Sequence, residues 1–132
     1  MTLVADASVV VAALVDSGPD GAWAERVLAS DRLAAPHLMP AEVANVLRRA
    51  ALVGEISDDA ASLAHADLLA LRVELFPYEP FADRVWDLRT SVTAYDAWYV
   101  AVAEALEAKL ATLDAKLSRA TGPRCRFVVP PG

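Results

Sequence analysis

The chain reads as an α/β protein, a three-layer α/β/α sandwich built on a mostly parallel five-stranded sheet. Three observations predict this. Short apolar runs alternate with stretches of helical period along the whole sequence, the pattern of strand–helix units. The runs Thr2-Leu3-Val4-Ala5 and Leu110-Ala111-Thr112-Leu113 are almost wholly apolar, as suits strands covered on both faces. Each of them stops at an aspartate, Asp6 and Asp114, where an open α/β sheet collects its ligands.

The elements follow in order. Residues 2–5 form a first strand and residues 8–15 a short helix. Ser17-Gly18-Pro19 is a turn, with Pro19 suited to start a helix through Trp23, Val27 and Leu28. A short strand, Arg32 to Ala35, ends at Pro36. From Pro40 to Val53 the apolar positions Val43, Val46, Leu47, Ala50 and Ala51 recur at helical spacing, and Gly54 closes the helix. Ser57 caps the next helix, with Asp58 and Asp59 in its first turn. Val73 to Tyr78 is again a strand. Pro80 opens a helix that turns Phe81, Val85, Trp86 and Leu88 inward. A further helix, Tyr95 to Glu107, points Tyr99, Val102, Ala103 and Leu106 inward. Leu110 to Leu113 is a strand, Ala115 to Ala120 a short helix, and Arg126 to Val129 the last strand.

A length of 132 residues fits one domain with a real core, and 56% hydrophobic residues with a mean hydropathy of +0.34 exclude disorder. The most apolar stretch, Leu3 to Val15, is broken by Asp6 and is too short to span a bilayer. It carries no basic leader or cleavage site, so a cytoplasmic location without membrane contact is expected. The single cysteine, Cys125, makes neither an internal disulfide nor a thiolate metal site. A formal net charge of −6 opposes nucleic-acid binding in sum, yet five of the twelve cations fall between Lys109 and Arg126. That flank beside an acidic centre suits a polyanionic substrate; a solvated edge or a surface for an acidic partner would read the same way.

Four acids stand where their charge needs explaining. Asp6 and Asp114 follow buried strands, and each is also placed to cap the helix that comes next. Glu42 lies early in its helix, where a negative charge suits the helix dipole. Asn45 and Arg49 share its stripe at i+3 and i+7, while Arg48 points elsewhere. Asp96 completes the capping-box pattern Thr93-Ala94-Tyr95-Asp96. Ser8 is two residues beyond Asp6, and Thr112 two before Asp114 on the same strand face. If the four acids converge, they demand cations, and a hard divalent metal is the natural one. His37 and His65 have no zinc spacing, and neither a nucleophile elbow nor a glycine-rich phosphate loop is present.

In order and setting, these motifs resemble the PIN-domain ribonucleases, specifically the VapC-type toxins of type II toxin–antitoxin pairs. Val4-Ala5-Asp6-Ala7-Ser8 is similar to the first motif, and Pro40-Ala41-Glu42-Val43-Ala44-Asn45-Val46-Leu47 to the second. Thr93 to Ala103, with Asp96 in its first turn, is similar to the third and most specific. Leu110-Ala111-Thr112-Leu113-Asp114-Ala115-Lys116-Leu117 is similar to the fourth. Trp98 is bulkier than is usual at its place, and Leu113 stands where the family is often polar. The resemblance covers residues 2 to about 117. It implies a PIN-like fold and an endoribonuclease dependent on Mg2+ or Mn2+. Asp6, Glu42, Asp96 and Asp114 would line its pocket, with Asp6, Asp96 and Asp114 as metal ligands. It places Ser8, Asn45 and Thr112 behind the acids, and the Glu42 stripe adds Arg49 toward substrate. RNA as substrate, a homodimer and a cognate antitoxin are further implications, with the helices near Trp23 to Leu28 and Ala60 to Leu71 as contact surfaces.

Two rivals fit less well. A PIN fold acting only by binding RNA or protein has no need of all four acids. A phosphohydrolase resembling the haloacid dehalogenases wants a second aspartate where Ser8 stands.

Overall fold

The structure is a computed structural model describing residues 1–132. Its elements are β1 (Thr2–Ala5), α1 (Ala7–Val15), α2 (Pro19–Ser30), β2 (Arg32–Pro36), α3 (Met39–Leu52), α4 (Asp58–Ala70) and β3 (Val73–Phe76). A 3-10 turn, Glu79–Phe81, leads into α5 (Ala82–Asp87). Then come α6 (Ala94–Ala105), β4 (Lys109–Ala111), α7 (Ala115–Ser118) and β5 (Phe127–Val128).

The five strands make one sheet in the order β3-β2-β1-β4-β5, and every neighbouring pair is parallel. Winding proceeds outward from β1 through β2 to β3, then restarts on the other side with β4 and β5. The reversal therefore lies between β1 and β4, which run in register with Ala5 opposite Ala111. In such sheets the crevice outside the carboxyl ends at the reversal is where ligands bind. Asp6 and Thr112 are the next residues on the two strands.

Strand residues alternate between two buried layers, as the pleat requires. Leu3, Leu33 and Ala111 pack with Val9, Ala12, Trp23 and Ala24 on one side. Val4, Ala34 and Leu110 pack with Val43, Leu47 and the α6 stretch Tyr99 to Ala103 on the other. Each fully buried valine or leucine contributes about 1.5–3 kcal/mol, so this pattern holds the strand register firmly. Gly21 is required by packing: a Cβ there would lie 1.8 Å from the Asp16 carbonyl oxygen, where α2 crosses the end of α1. Gly54 closes α3 at φ +80°, as its position after the apolar stripe predicts.

Several expectations are corrected. β3 ends at Phe76 rather than Tyr78, because Pro77 has no N–H to give the ladder. The stretch opened by Pro80 is a 3-10 turn followed by a six-residue helix. Trp86 does not face inward; it is 65% exposed. Val85 in α5 and Leu88, which caps it, face inward, and a residue next to Val85 is turned about 100° away from it. Leu106 is exposed too, because it caps α6 just before Glu107 swings to φ +52°. Val46 is partly exposed between buried Val43 and Leu47. Trp23 is buried in the core and offers no contact surface, whereas Leu63 and Leu69 on α4 are open to solvent.

Candidate active site

Asp6 is fixed by a short relay of hydrogen bonds. Its backbone N–H extends the β1–β4 ladder to the Ala111 carbonyl at 3.0 Å. Its Oδ2 accepts from Thr112 Oγ1 at 2.7 Å and from Ser8 Oγ at 3.0 Å. Both hydroxyls in turn accept backbone N–H groups, Thr112 from Asp114 at 3.0 Å and Ser8 from Leu113 at 3.2 Å. Each hydroxyl proton is thereby directed at Oδ2, and the backbone N–H groups of Ala7 and Ser8 add weaker hydrogen bonding to the same carboxylate. Asp6 does not cap α1 through its side chain, although it occupies the capping position. It is only 8% exposed, and burial raises its pKa against the opposing hydrogen bonds from Thr112 and Ser8.

The other acids arrive from three helices. Glu42, in the first turn of α3, accepts the Tyr99 hydroxyl at 2.8 Å on Oε1. Burial raises its pKa, the Tyr99 bond works against that, and the charges of Asp6 and Asp96 raise it further. Asp96 is in the first turn of α6. Thr93 Oγ1 accepts the Asp96 backbone N–H at 3.2 Å, but the carboxylate makes no return bond, so only half of the predicted box forms. Burial raises the Asp96 pKa, followed by the charges of Asp6 and Asp114. Asp114 does cap: its Oδ1 accepts from the Lys116 and Leu117 N–H groups at 2.9 and 3.1 Å. Its Oδ2 is free.

The four acids therefore share one neighbourhood, and every charge acting on Glu42 and Asp96 there is another carboxylate. They do not form a finished cage, since no three acidic, histidine or cysteine side chains are placed to hold a metal ion. By donor chemistry the set is all hard oxygen, which fits a divalent cation of the magnesium kind rather than zinc or copper.

The remaining predicted residues divide. Ser8 and Thr112 are at the centre, bonded to Asp6. Asn45 is exposed and accepts from Arg48 Nη1 at 3.3 Å, so Arg48 turns toward that stripe rather than away. Arg49 lines a separate shallow hollow with Val46, Ala50, Val53 and Glu55. Tyr99 read in the sequence as a core residue; it is indeed 1% exposed, yet its hydroxyl reaches the site. Its place at i+3 from Asp96 was the available signal. Beside Asp96 and Asp114 opens a hollow of about 740 Å³ lined by Lys116, Arg119 and Arg89. Lys116 and Arg119 belong to the basic flank read from the sequence, whereas Arg89 comes from a distant stretch that no spacing tied to the acids.

A sequence model of the PIN domain matches residues 3–123. Ribonuclease VapC1 of Mycobacterium tuberculosis is 42% identical over 125 residues, 94% of each chain. Among solved structures, PAE2754 from Pyrobaculum aerophilum is similar with a TM-score of 0.73 and 23% identity, covering 96% of this chain and 83% of that one. VapBC-5 from Mycobacterium tuberculosis, a member of the VapBC family of toxin–antitoxin systems, gives a TM-score of 0.60 at 19% identity, covering 97% and 96%. The chain belongs to the PIN-domain family and, within it, to the VapC-type ribonucleases.

Proposed function

We propose that this protein is an endoribonuclease, the toxin of a toxin–antitoxin pair, that hydrolyses RNA phosphodiester bonds at the four-acid site with Mg2+ or Mn2+. The observation that carries the reading is the hydroxyl-fixed Asp6 at the reversal of the sheet, with three other acids near it and none of the four in an ion pair. The identity to a relative named a ribonuclease supports RNA as substrate, and the likeness to a toxin–antitoxin structure supports an antitoxin partner.

In this reading Asp6, Asp96 and Asp114 would hold the metal. Bound there, the metal would lower the pKa of a water and offset charge on the scissile phosphate. Ser8 and Thr112 keep Asp6 oriented. Glu42, held on Oε1 by Tyr99, presents Oε2 to accept a proton from the attacking water. The protein works in the cytoplasm as a homodimer. The exposed leucines of α4, Leu63 and Leu69, belong to its protein-contact surface. No helix is long and apolar enough to cross a membrane.

The test is cleavage of a total-RNA pool by antitoxin-free wild type and Asp6→Ala with Mg2+, Mn2+ or EDTA. Discrete fragments are expected only from wild type with metal. An intact pool under every condition would leave a PIN fold that binds without turnover. Fragments in EDTA would remove the metal from the mechanism.

A further inference from the structure

The hollow beside Asp96 and Asp114 is polar as well as large. Besides those two acids its lining includes Arg89, Ser91, Thr93, Lys116, Arg119 and Thr121. The sole ion pair of the structure is Arg84–Glu104, so Lys116, Arg119 and Arg89 carry charge that no carboxylate of the protein pairs. In a chain of net charge −6, this is a local reversal of sign at the mouth of the acid site. Hydroxyls and free cations together match phosphate and sugar oxygens.

A second observation lies at the rim. Arg89 holds its own position by donating to the Trp86 carbonyl at 2.8 Å, and its guanidinium sits 4.6 Å from the Trp86 ring centroid. The indole beneath is 65% exposed. An exposed aromatic ring with a stacked guanidinium is the surface on which unpaired bases stack, and it needs no particular base. A single strand can offer such a ring an unpaired base, which a continuous duplex cannot.

We propose that this hollow is the track of a single-stranded RNA beside the scissile phosphate, with Lys116 and Arg119 holding backbone phosphates and the Trp86–Arg89 stack receiving an unpaired base. The proposal rests on the ribonuclease reading and adds the strand's direction: toward α7 and the end of α5, not over the α3 stripe that carries Asn45 and Arg49. It also makes Trp86 a binding residue.

The experiment uses full-length protein in an Asp6→Asn background, so that RNA binds without being cut. Affinity for a labelled single-stranded oligoribonucleotide and for the same sequence as a duplex is followed by fluorescence anisotropy across roughly 50 to 200 mM salt. Lys116→Ala/Arg119→Ala should weaken single-strand binding at least ten-fold and reduce the salt slope by about 1.4, the value for two phosphate contacts on a single strand. Trp86→Ala should weaken it at least about five-fold and leave the slope unchanged, because stacking releases no counterions. The charge-matched control Arg32→Ala/Arg72→Ala, at the starts of β2 and β3, should bind as the parent does. Circular dichroism verifies folding of each variant; all five substituted side chains are exposed.

Equal weakening by the control, or wild-type-like binding by the track variants, overturns the track even if the wild-type enzyme cuts RNA. Preference for the duplex, or equal displacement by poly-glutamate, overturns it as well. If the track variants lose binding while wild type cuts nothing, the track stands and the nuclease reading falls. No binding of RNA at all overturns both.

Discussion

The two ends of the sheet carry charge in opposite ways. At the carboxyl end, Asp6, Glu42 and Asp96 all have raised pKa values: burial is the first cause for each, and other carboxylates add to it for Glu42 and Asp96. At the amino end lies a second hollow, of about 840 Å³, lined by Asp31, Glu104, Glu107, Lys109, Arg124 and Arg126 among others. There Glu104 is satisfied. Arg84 grips it through Nε at 2.7 Å and Nη2 at 3.1 Å, and the Arg124 N–H donates to it at 2.7 Å. Burial would raise the Glu104 pKa, but the Arg84 bond, the Arg124 amide and both cationic charges outweigh it and hold it low. Arg84 also donates to the Gly122 carbonyl at 2.9 Å, so one guanidinium ties α5, α6 and the C-terminal segment together. At one end the partly buried Glu104 is paired and holds the fold. At the other the charge is unpaired and available for chemistry.

The basic stretch from Lys109 to Arg126 shows the same division. In sequence it is one flank; in space Lys116 and Arg119 join the acid site, while Lys109, Arg124 and Arg126 lie at the opposite end. Cys125 goes with the latter group, its thiol pushed up to about 11 by burial first and by the Glu104 charge second.

Substitutions at the two ends should therefore separate activity from stability. The largest effect is expected for Asp6→Asn, with RNA cleavage falling by at least about 10²–10³-fold. Its melting midpoint should stay level or rise, since a buried carboxylate is replaced by a neutral acceptor that can still receive Thr112 and Ser8. A midpoint that collapses along with activity would make Asp6 a structural residue.

Next in size is Glu104→Gln. It should lower stability by about 1.5 kcal/mol, the low end for bonds to a charged group, because the pair is partly solvated. A melting midpoint lower by roughly 4–8 °C should accompany unchanged kcat/KM in the folded enzyme. Loss of activity without loss of stability would erase the contrast between the ends.

Tyr99→Phe tests the link from core to site. Removing only the hydroxyl should cost about 1 kcal/mol of stability and reduce cleavage by about 10- to 100-fold, as for partners that orient a metal-site carboxylate. Wild-type kcat would show that Glu42 needs no such hold.

The smallest effect is in the pH profile of stability in EDTA. Asp6, Glu42 and Asp96 titrate higher in the folded chain than at their ordinary values of 3.8, 4.5 and 3.8. Their penalty is present above the folded values and fades as pH falls toward those ordinary values. Glu104 titrates below its ordinary 4.5, so its contribution is complete above that value and is lost as pH falls through the folded one. Thermal melts should thus show stability rising as pH falls through the raised folded values toward the ordinary ones, then falling in stronger acid. Asp6→Asn should flatten the rise and Glu104→Gln the fall; the reverse assignment would contradict the pairing described above.

Much of this was legible in the linear chain, for identifiable reasons. Buried parallel strands need unbroken apolar runs, so β1 and most of β4 announced themselves, with Asp6 as punctuation, although the run read from Leu110 to Leu113 is strand only as far as Ala111. Ser57 and Thr93 were readable as caps because capping is local, and each accepts the expected N–H. Asp114 was readable as a cap too, and it both caps and faces Asp96. Trp86 was misread because a helical stripe of four apolar residues assumes a long helix with a wide inner face, and α5 has six residues.

What the sequence determined by itself is the set of local facts: the alternating elements, their caps, the four motif acids and the hydroxyls two residues from Asp6 and Asp114. Periodicity and capping act over a few residues, and a single chain displays them openly. Only the tertiary structure decided that Thr112 meets Asp6 across 106 positions, that Tyr99 reaches Glu42 across 57, and that the cations of one short stretch part to opposite ends of the sheet. Those outcomes depend on strand order and on the direction in which each short element leaves the sheet, and both are set by packing the whole core at once.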